Sequence, residues 1–141
     1  ERNQSEAMIN YLRAVGIRAT LRFGQYAAMR DQIRSHRAAM AHQTWGSFSI
    51  NDVSASTPVY YKGLDDDISR DPKVIELLER GDTVTDPQQR LAAYREAHKL
   101  IIEQAYSVPL YNLVTFYAAS KDLEFAAYPD ELPRFWEMRW K

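Results

Sequence analysis

Chemistry in this chain has few places to start. The three histidines, His36, His42 and His98, lie far apart in the sequence. A metal centre needs two or three such ligands converging on one point, and separate structural histidines are the simpler reading. No G-x-S-x-G elbow is present, so a serine triad has no scaffold. Asp65, Asp66 and Asp67 form the densest carboxylate cluster. Their polar flanks predict a solvated turn, whereas acid–base work needs an apolar pocket that separates two pKa values. Arg18 and Arg22 share the outward face of the strand expected at 17–23 and could clamp a carboxylate, although paired surface arginines are more commonly solvated. The absence of cysteine excludes disulfides, thiol catalysis and cysteine-ligated zinc. The expectation is therefore a protein that binds without catalysis, with no metal and no cofactor.

What remains is a recognition stretch. Residues 43–56, QTWGSFSINDVSAS, are small and polar apart from a few bulky residues, Trp45 and Phe48 foremost, and carry no charge before Asp52. Pockets for small molecules are mostly apolar with a few placed polar groups. Trp45 and Phe48 can form walls, Ser47 and Ser49 can hydrogen-bond, and Gly46 allows close backbone approach. The competing reading is that Trp45 and Phe48 only cover a sheet edge.

The elements that would position this stretch follow from periodicity. Met8, Leu12 and Val15 give a helical face, with Ser5 as the predicted cap and Gly16 at the C′ position. Residues 17–23, IRATLRF, alternate as a half-buried strand. Tyr26, Met29 and Ile33 return to helical spacing, and residues 38–45, AAMAHQTW, read as a second strand. Strand, helix and strand at these spacings predict a parallel βαβ unit. Ligands bind outside the carboxyl ends of such strands. That places Gln25 and Tyr26 beside Trp45 in the expected site. Tyr60 and Tyr61 are further candidates from residues 46–70, a stretch without a clear period.

Asp71-Pro72 and Asp86-Pro87 each pair a cap with a proline at the first helical position, and Gln89 falls where a capping box needs it. The first of these helices is expected to stop at Gly81. The second should bury Leu91, Tyr94, His98, Ile101, Ile102 and Ala105. Residues 106–112 and 113–120 read as strands, and Trp136, Met138 and Trp140 alternate near the C-terminal end.

Three segments, L-x-x-V-G-I at 12–17, D-P-x-x-R-x-x-x-Y-x-x-A at 86–97 and VPLY at 108–111, resemble the family 5 solute-binding proteins of ABC transporters. The resemblance covers nearly the whole chain and implies extracytoplasmic receptors for peptides, opines, nickel complexes and related solutes. It implies an α/β fold for residues 1–141: the C-terminal lobe of a type II periplasmic-binding-protein-like receptor, a mixed sheet with flanking helices. On that reading the chain is a piece of a longer receptor. It captures a small solute, peptide, opine or sugar-like, in the periplasm or another extracytoplasmic space, and delivers it to a membrane permease.

In the peptide-binding branch an aspartate three residues after the tryptophan pairs with the ligand's ammonium group. Trp45 matches the tryptophan, but Phe48 stands at the acid's position. Either Asp52 replaces that anchor or the solute lacks a free amine. The expected ligand-binding set is thus Gln25, Tyr26, Trp45, Gly46, Ser47, Phe48, Ser49 and Asp52. The alternative function is a protein-interaction module using an aromatic-rich exposed surface; aromatics make up 12% of the chain, enough to supply one. With 18 basic against 19 acidic residues, nothing points to nucleic acid.

Overall fold

The computed structural model describes residues 2–46, 50 and 52–141. Among the described residues six α-helices and one small antiparallel strand pair form in chain order: α1 (Arg2–Ala14), α2 (Tyr26–Arg34), α3 (Val53–Ser56), α4 (Pro58–Tyr61), α5 (Pro72–Thr83), α6 (Pro87–Glu103), β1 (Leu123–Glu124) and β2 (Arg139–Trp140). A short 3₁₀ turn at Phe135–Glu137 leads into β2.

The core belongs to α5 and α6. Both begin as their Asp-Pro signals predict. Asp71 accepts from the amides of Lys73 (2.8 Å) and Val74 (3.3 Å), and Asp86 accepts from that of Gln89 (2.8 Å). Each bond satisfies a helix N–H that has no partner within the helix. A three-residue connection then folds the pair into a hairpin. Val74, Leu77 and Leu78 of α5 meet Tyr94, Ala97 and Ile101 of α6, and Val53, Tyr61 and Leu100 pack around them. Each fully buried side chain of this size contributes about 1.5–3 kcal/mol relative to an exposed one.

Two helix expectations shift. α5 does not stop at Gly81; it runs to Thr83, and Gly81 is buried within it beneath the Tyr94 ring. On α6 the buried face is Ala93, Tyr94, Ala97 and Ile101, while Leu91 and Ile102 are exposed and His98 is half-buried. Ala97 is wholly buried in the core shared with α5.

α1 ends as expected. Gly16 adopts φ +86°, the Gly16 amide bonds the Arg13 carbonyl at 3.0 Å, and the Ile17 amide reaches the Leu12 carbonyl at 2.9 Å. This pair of bonds is a Schellman motif, which glycine at C′ allows without steric cost. Ser5 is not the cap; it lies inside α1, buried, with Oγ 2.9 Å from His42 Nδ1.

The α/β expectation is overturned. Helix occupies 46% of the chain and strand only 3%, so the fold is helix-dominated and is not a type II binding-protein lobe with a mixed sheet. The only sheet among the described residues is the antiparallel pair β1–β2, with Leu123 opposite Trp140 and Glu124 opposite Arg139. Residues 17–23, 38–45 and 106–120 form no ladder among the described residues. Alternation reports which face of a strand would be buried, but a strand exists only when a second backbone supplies its hydrogen bonds. Here several of the alternating apolar residues find no cover: Ile17, Phe23, Val108, Val114 and Phe116 are exposed, while Ala19 and Leu21 are half-buried.

Candidate functional site

The described ends of the 43–56 stretch are fixed by side-chain contacts on either side of its centre. At the near end, the Tyr60 hydroxyl donates to Gln43 Oε1 at 3.2 Å. The Trp45 ring meets Tyr60 edge-on, with centroids 5.8 Å apart at 82°. This T-shaped geometry sets a ring edge against a π-face. Tyr60 in turn contacts Tyr61 at 6.4 Å, and the Tyr61 hydroxyl donates to Ser107 Oγ at 2.5 Å. Burial pushes the Tyr60 hydroxyl pKa up, with Tyr26 and Asp66 adding to the shift. Tyr26 is itself exposed at the start of α2.

At the far end, Asp52 caps α3 and closes a fork with Arg90 of α6. Its Oδ1 accepts from the Ser54 amide (2.9 Å), the Ser54 hydroxyl (2.6 Å) and Arg90 Nη2 (2.6 Å), and its Oδ2 accepts from Arg90 Nη1 (2.9 Å). Arg90 makes further bonds. Nε donates to the Gly81 carbonyl at 3.0 Å, Nη2 also reaches the Tyr94 hydroxyl at 3.1 Å, and the guanidinium carbon sits 4.9 Å from the Tyr94 ring centroid. The Tyr94 hydroxyl donates to Asp82 Oδ1 at 2.6 Å, and Lys62 Nζ bonds Asp82 Oδ2 at 2.7 Å. One network thus joins α3, the end of α4, α5 and α6.

Its electrostatics are set by these pairs. Arg90, then Ser54, holds the Asp52 carboxyl well below the usual carboxylate range, and Asp52 raises the Arg90 pKa in return. Burial, then the bond to Asp82, pushes the Tyr94 hydroxyl up to about 12. A bidentate arginine–carboxylate pair fixes orientation as well as charge.

The acidic run at 65–67 is a turn, and Asp65 is exposed as expected, but Asp66 and Asp67 are buried, contrary to their polar flanks. Asp66 is buried and takes Nε and Nη2 of both Arg30 and Arg34, with Arg34 Nε at 2.7 Å. Arg30 first and Arg34 second hold the Asp66 carboxyl well below its ordinary range. Asp67, 1% exposed, accepts from the Gly63 amide (2.8 Å), the Arg70 amide (2.9 Å) and the Ser69 hydroxyl (2.7 Å). These bonds close a turn in which Gly63 takes φ +75° and Arg70 φ +45°. The run looks hydrophilic because its partners, Arg30 and Arg34, are more than thirty residues away in sequence; their i, i+4 spacing on α2 was the available signal.

Of the expected ligand-binding residues, Trp45 and Asp52 hold the two ends of the stretch, and Gly46 is exposed beside Trp45. Ser47, Phe48 and Ser49 lie outside the described residues. Gln25 is the N-cap position of α2, exposed and without a side-chain capping bond. Tyr60, a weaker candidate in the sequence, is the residue that meets Trp45. Arg90 and Tyr94, two fixed positions of the D-P-x-x-R-x-x-x-Y segment, were not among the candidates, yet they tie Asp52 to the helical hairpin. Arg18 and Arg22 are exposed. Among the described residues no three His, Cys, Asp or Glu side chains gather as a metal would require, and no helix is long and apolar enough to cross a membrane. Compared with known proteins, the chain matches no family model, no curated protein and no solved structure.

Proposed function

We propose that the chain captures a small solute at the 43–56 stretch, as part of the extracytoplasmic receptor of an ABC import system, and performs no catalysis. The observation that carries this reading is the double anchorage of a neutral, small-residue stretch. Trp45 is held by Tyr60 at one end and Asp52 by Arg90 at the other. Binding stretches work best when their supports are locked by packing and hydrogen bonds, because less order is then lost on binding. The three sequence segments that resemble family 5 receptors support the same reading, and the anchoring arginine and tyrosine belong to one of them. A permease is the implied membrane partner.

Trp45 is 38% exposed, and on this reading the chain supplies only one side of a longer receptor's site, so weak binding by this chain alone is expected. The test is a thermal-shift screen of this chain against peptides, opines and sugars at millimolar concentration. A solute at about ten times its Kd adds about 1.4 kcal/mol to stability by linkage. A reproducible rise in Tm with one solute class is expected. Micromolar affinity would contradict a one-sided site, and no rise with any class would remove the proposal.

A second reading has its own observation. In residues 110–117, Tyr111, Thr115 and Tyr117 are tied to the molecule through Gln4 (2.6 Å), Glu131 (2.7 Å) and the Tyr128 carbonyl (3.0 Å). The apolar residues between them, Leu113, Val114 and Phe116, are exposed, Phe116 by 89%. Such an apolar row favours a protein-interaction module. Val114→Lys with Phe116→Lys would abolish protein association on that reading and leave solute-dependent shifts intact on the first.

A further inference from the structure

Residues 107–120, SVPLYNLVTFYAAS, play no part in the 43–56 site. We propose that residues 113–117 pair antiparallel with the same residues of a second copy of this chain, turning an open strand edge into a ladder between two molecules. The inference stands apart from solute capture and gives the apolar row of the second reading its partner.

The side chains alternate. Thr115 Oγ1 bonds Glu131 Oε1 at 2.7 Å, the Tyr117 hydroxyl donates to the Tyr128 carbonyl at 3.0 Å, and the Tyr117 ring lies 5.4 Å from that of Phe125. Val114 and Phe116, their neighbours in sequence, are exposed. Successive side chains directed to opposite sides are the period of an extended strand. The backbone is also open. Among the described residues, no amide or carbonyl of residues 108–119 bonds another backbone group. Such a row of unpaired groups is a template for a further strand.

Charge selects the occupant. Sheet edges are commonly protected from self-pairing by charged side chains, proline or a bulge. Residues 104–120 hold no Asp, Glu, Lys, Arg or His, and residues 110–120 hold no proline and no glycine. LVTFYA at 113–118 is β-branched and aromatic, the composition that stacks on its own kind. Antiparallel pairing centred on Thr115 sets Thr115 opposite Thr115 and Val114 opposite Phe116. The two-fold axis repeats that aromatic–β-branched pair, a favourable one, on both sides. The other alternating stretch, 17–23, has no such freedom, because the same pairing centred on Thr20 would set Arg18 opposite Arg22. So short a ladder buries well under the ~1,200 Å² at which stable interfaces begin, so the association is weak and depends on concentration.

The test follows the whole chain by sedimentation equilibrium from about 10 μM to about 1 mM, the range of a weak Kd. The apparent mass should rise towards a dimer, and amide exchange at Leu113–Tyr117 should slow by about tenfold at the high end. The paired variants Val114→Lys with Phe116→Lys, and Val114→Glu with Phe116→Glu, place like charges opposite each other across the two-fold axis. Each alone should stay monomeric, and their equimolar mixture should associate, because opposite charges then face each other. Both positions are exposed, so the helical circular dichroism of all these chains should match that of the wild type. A single monomer mass for the wild type up to the highest concentration would overturn the inference. So would association that persists in the lysine variant, or a mixture that stays monomeric. None of these results touches the solute-dependent shifts expected at Trp45, so the two readings fail separately.

Discussion

Replacing Gly81 by alanine sets two known effects against each other at one atom. Gly81 lies inside α5, where alanine is favoured over glycine by about 1 kcal/mol of helix propensity. The same substitution places a Cβ 2.6 Å from Tyr94 Cδ1 and 2.8 Å from Cζ, so the ring must move. The ring is not free to do so. Its hydroxyl is bonded to Asp82, the Arg90 guanidinium covers it, and the residue is buried. Overpacking a well-filled core costs about 1–3 kcal/mol, and here a displaced ring also disturbs the Asp82 bond, so the steric term should exceed the propensity gain by about 1–2 kcal/mol. For a chain of this length that corresponds to a fall in Tm of about 3–10 °C. The assay is thermal unfolding followed by helical circular dichroism. A second background makes the cause specific: in Tyr94→Leu the ring is gone, so Gly81→Ala should become neutral or stabilising, and the double-mutant cycle should show the coupling. A Tm for Gly81→Ala equal to or above that of the wild type would refute the packing described for α5 and α6.

Other perturbations separate the parts of the structure. Leu78→Ala removes a fully buried side chain and should cost about 2–5 kcal/mol, read as a lower urea midpoint. Asp86→Ala removes the α6 cap and should cost about 1 kcal/mol, whereas the cap at Asp71 also accepts the Tyr106 hydroxyl at 2.8 Å, so Asp71→Ala should lower Tm further. Asp52 and Asp66 both have folded-state pKa values below the unfolded value of about 3.9, so the unfolded chain binds more protons as pH falls. Their contribution to stability is present above about pH 5 and is lost progressively as the solution is acidified through and below that unfolded value. A Tm–pH curve should fall on that limb and flatten in Asp52→Asn with Asp66→Asn; an unchanged slope in the double variant would contradict the ion pairs.

The sequence made local signals legible and long-range ones not. The Asp-Pro starts of α5 and α6 and the Gly16 stop of α1 depend on neighbours within five residues, and all three are found. The expected strands depended on backbones elsewhere in the chain, and alternation at 17–23 contains no information on whether a partner arrives. The same limit hid the role of the acidic run. Asp66 reads as surface until α2 brings Arg30 and Arg34 against it. Gly81 looked like a stop because glycine ends many helices, yet here its missing side chain makes room for Tyr94. Within the candidate site, Trp45 and Asp52 stood out by contrast with a neutral stretch. Arg90, the residue that decides what Asp52 can do, is thirty-eight positions away.

The measurement that tests the account most directly is a solute titration watched at the three tryptophan indoles of the labelled chain. If the 43–56 stretch captures solute, the Trp45 resonance moves and saturates in the millimolar range with one class among peptides, opines and sugars, while Trp136 and Trp140, near the C-terminal end, stay in place. Movement of Trp136 and Trp140 with Trp45 unchanged would place binding elsewhere and contradict the account.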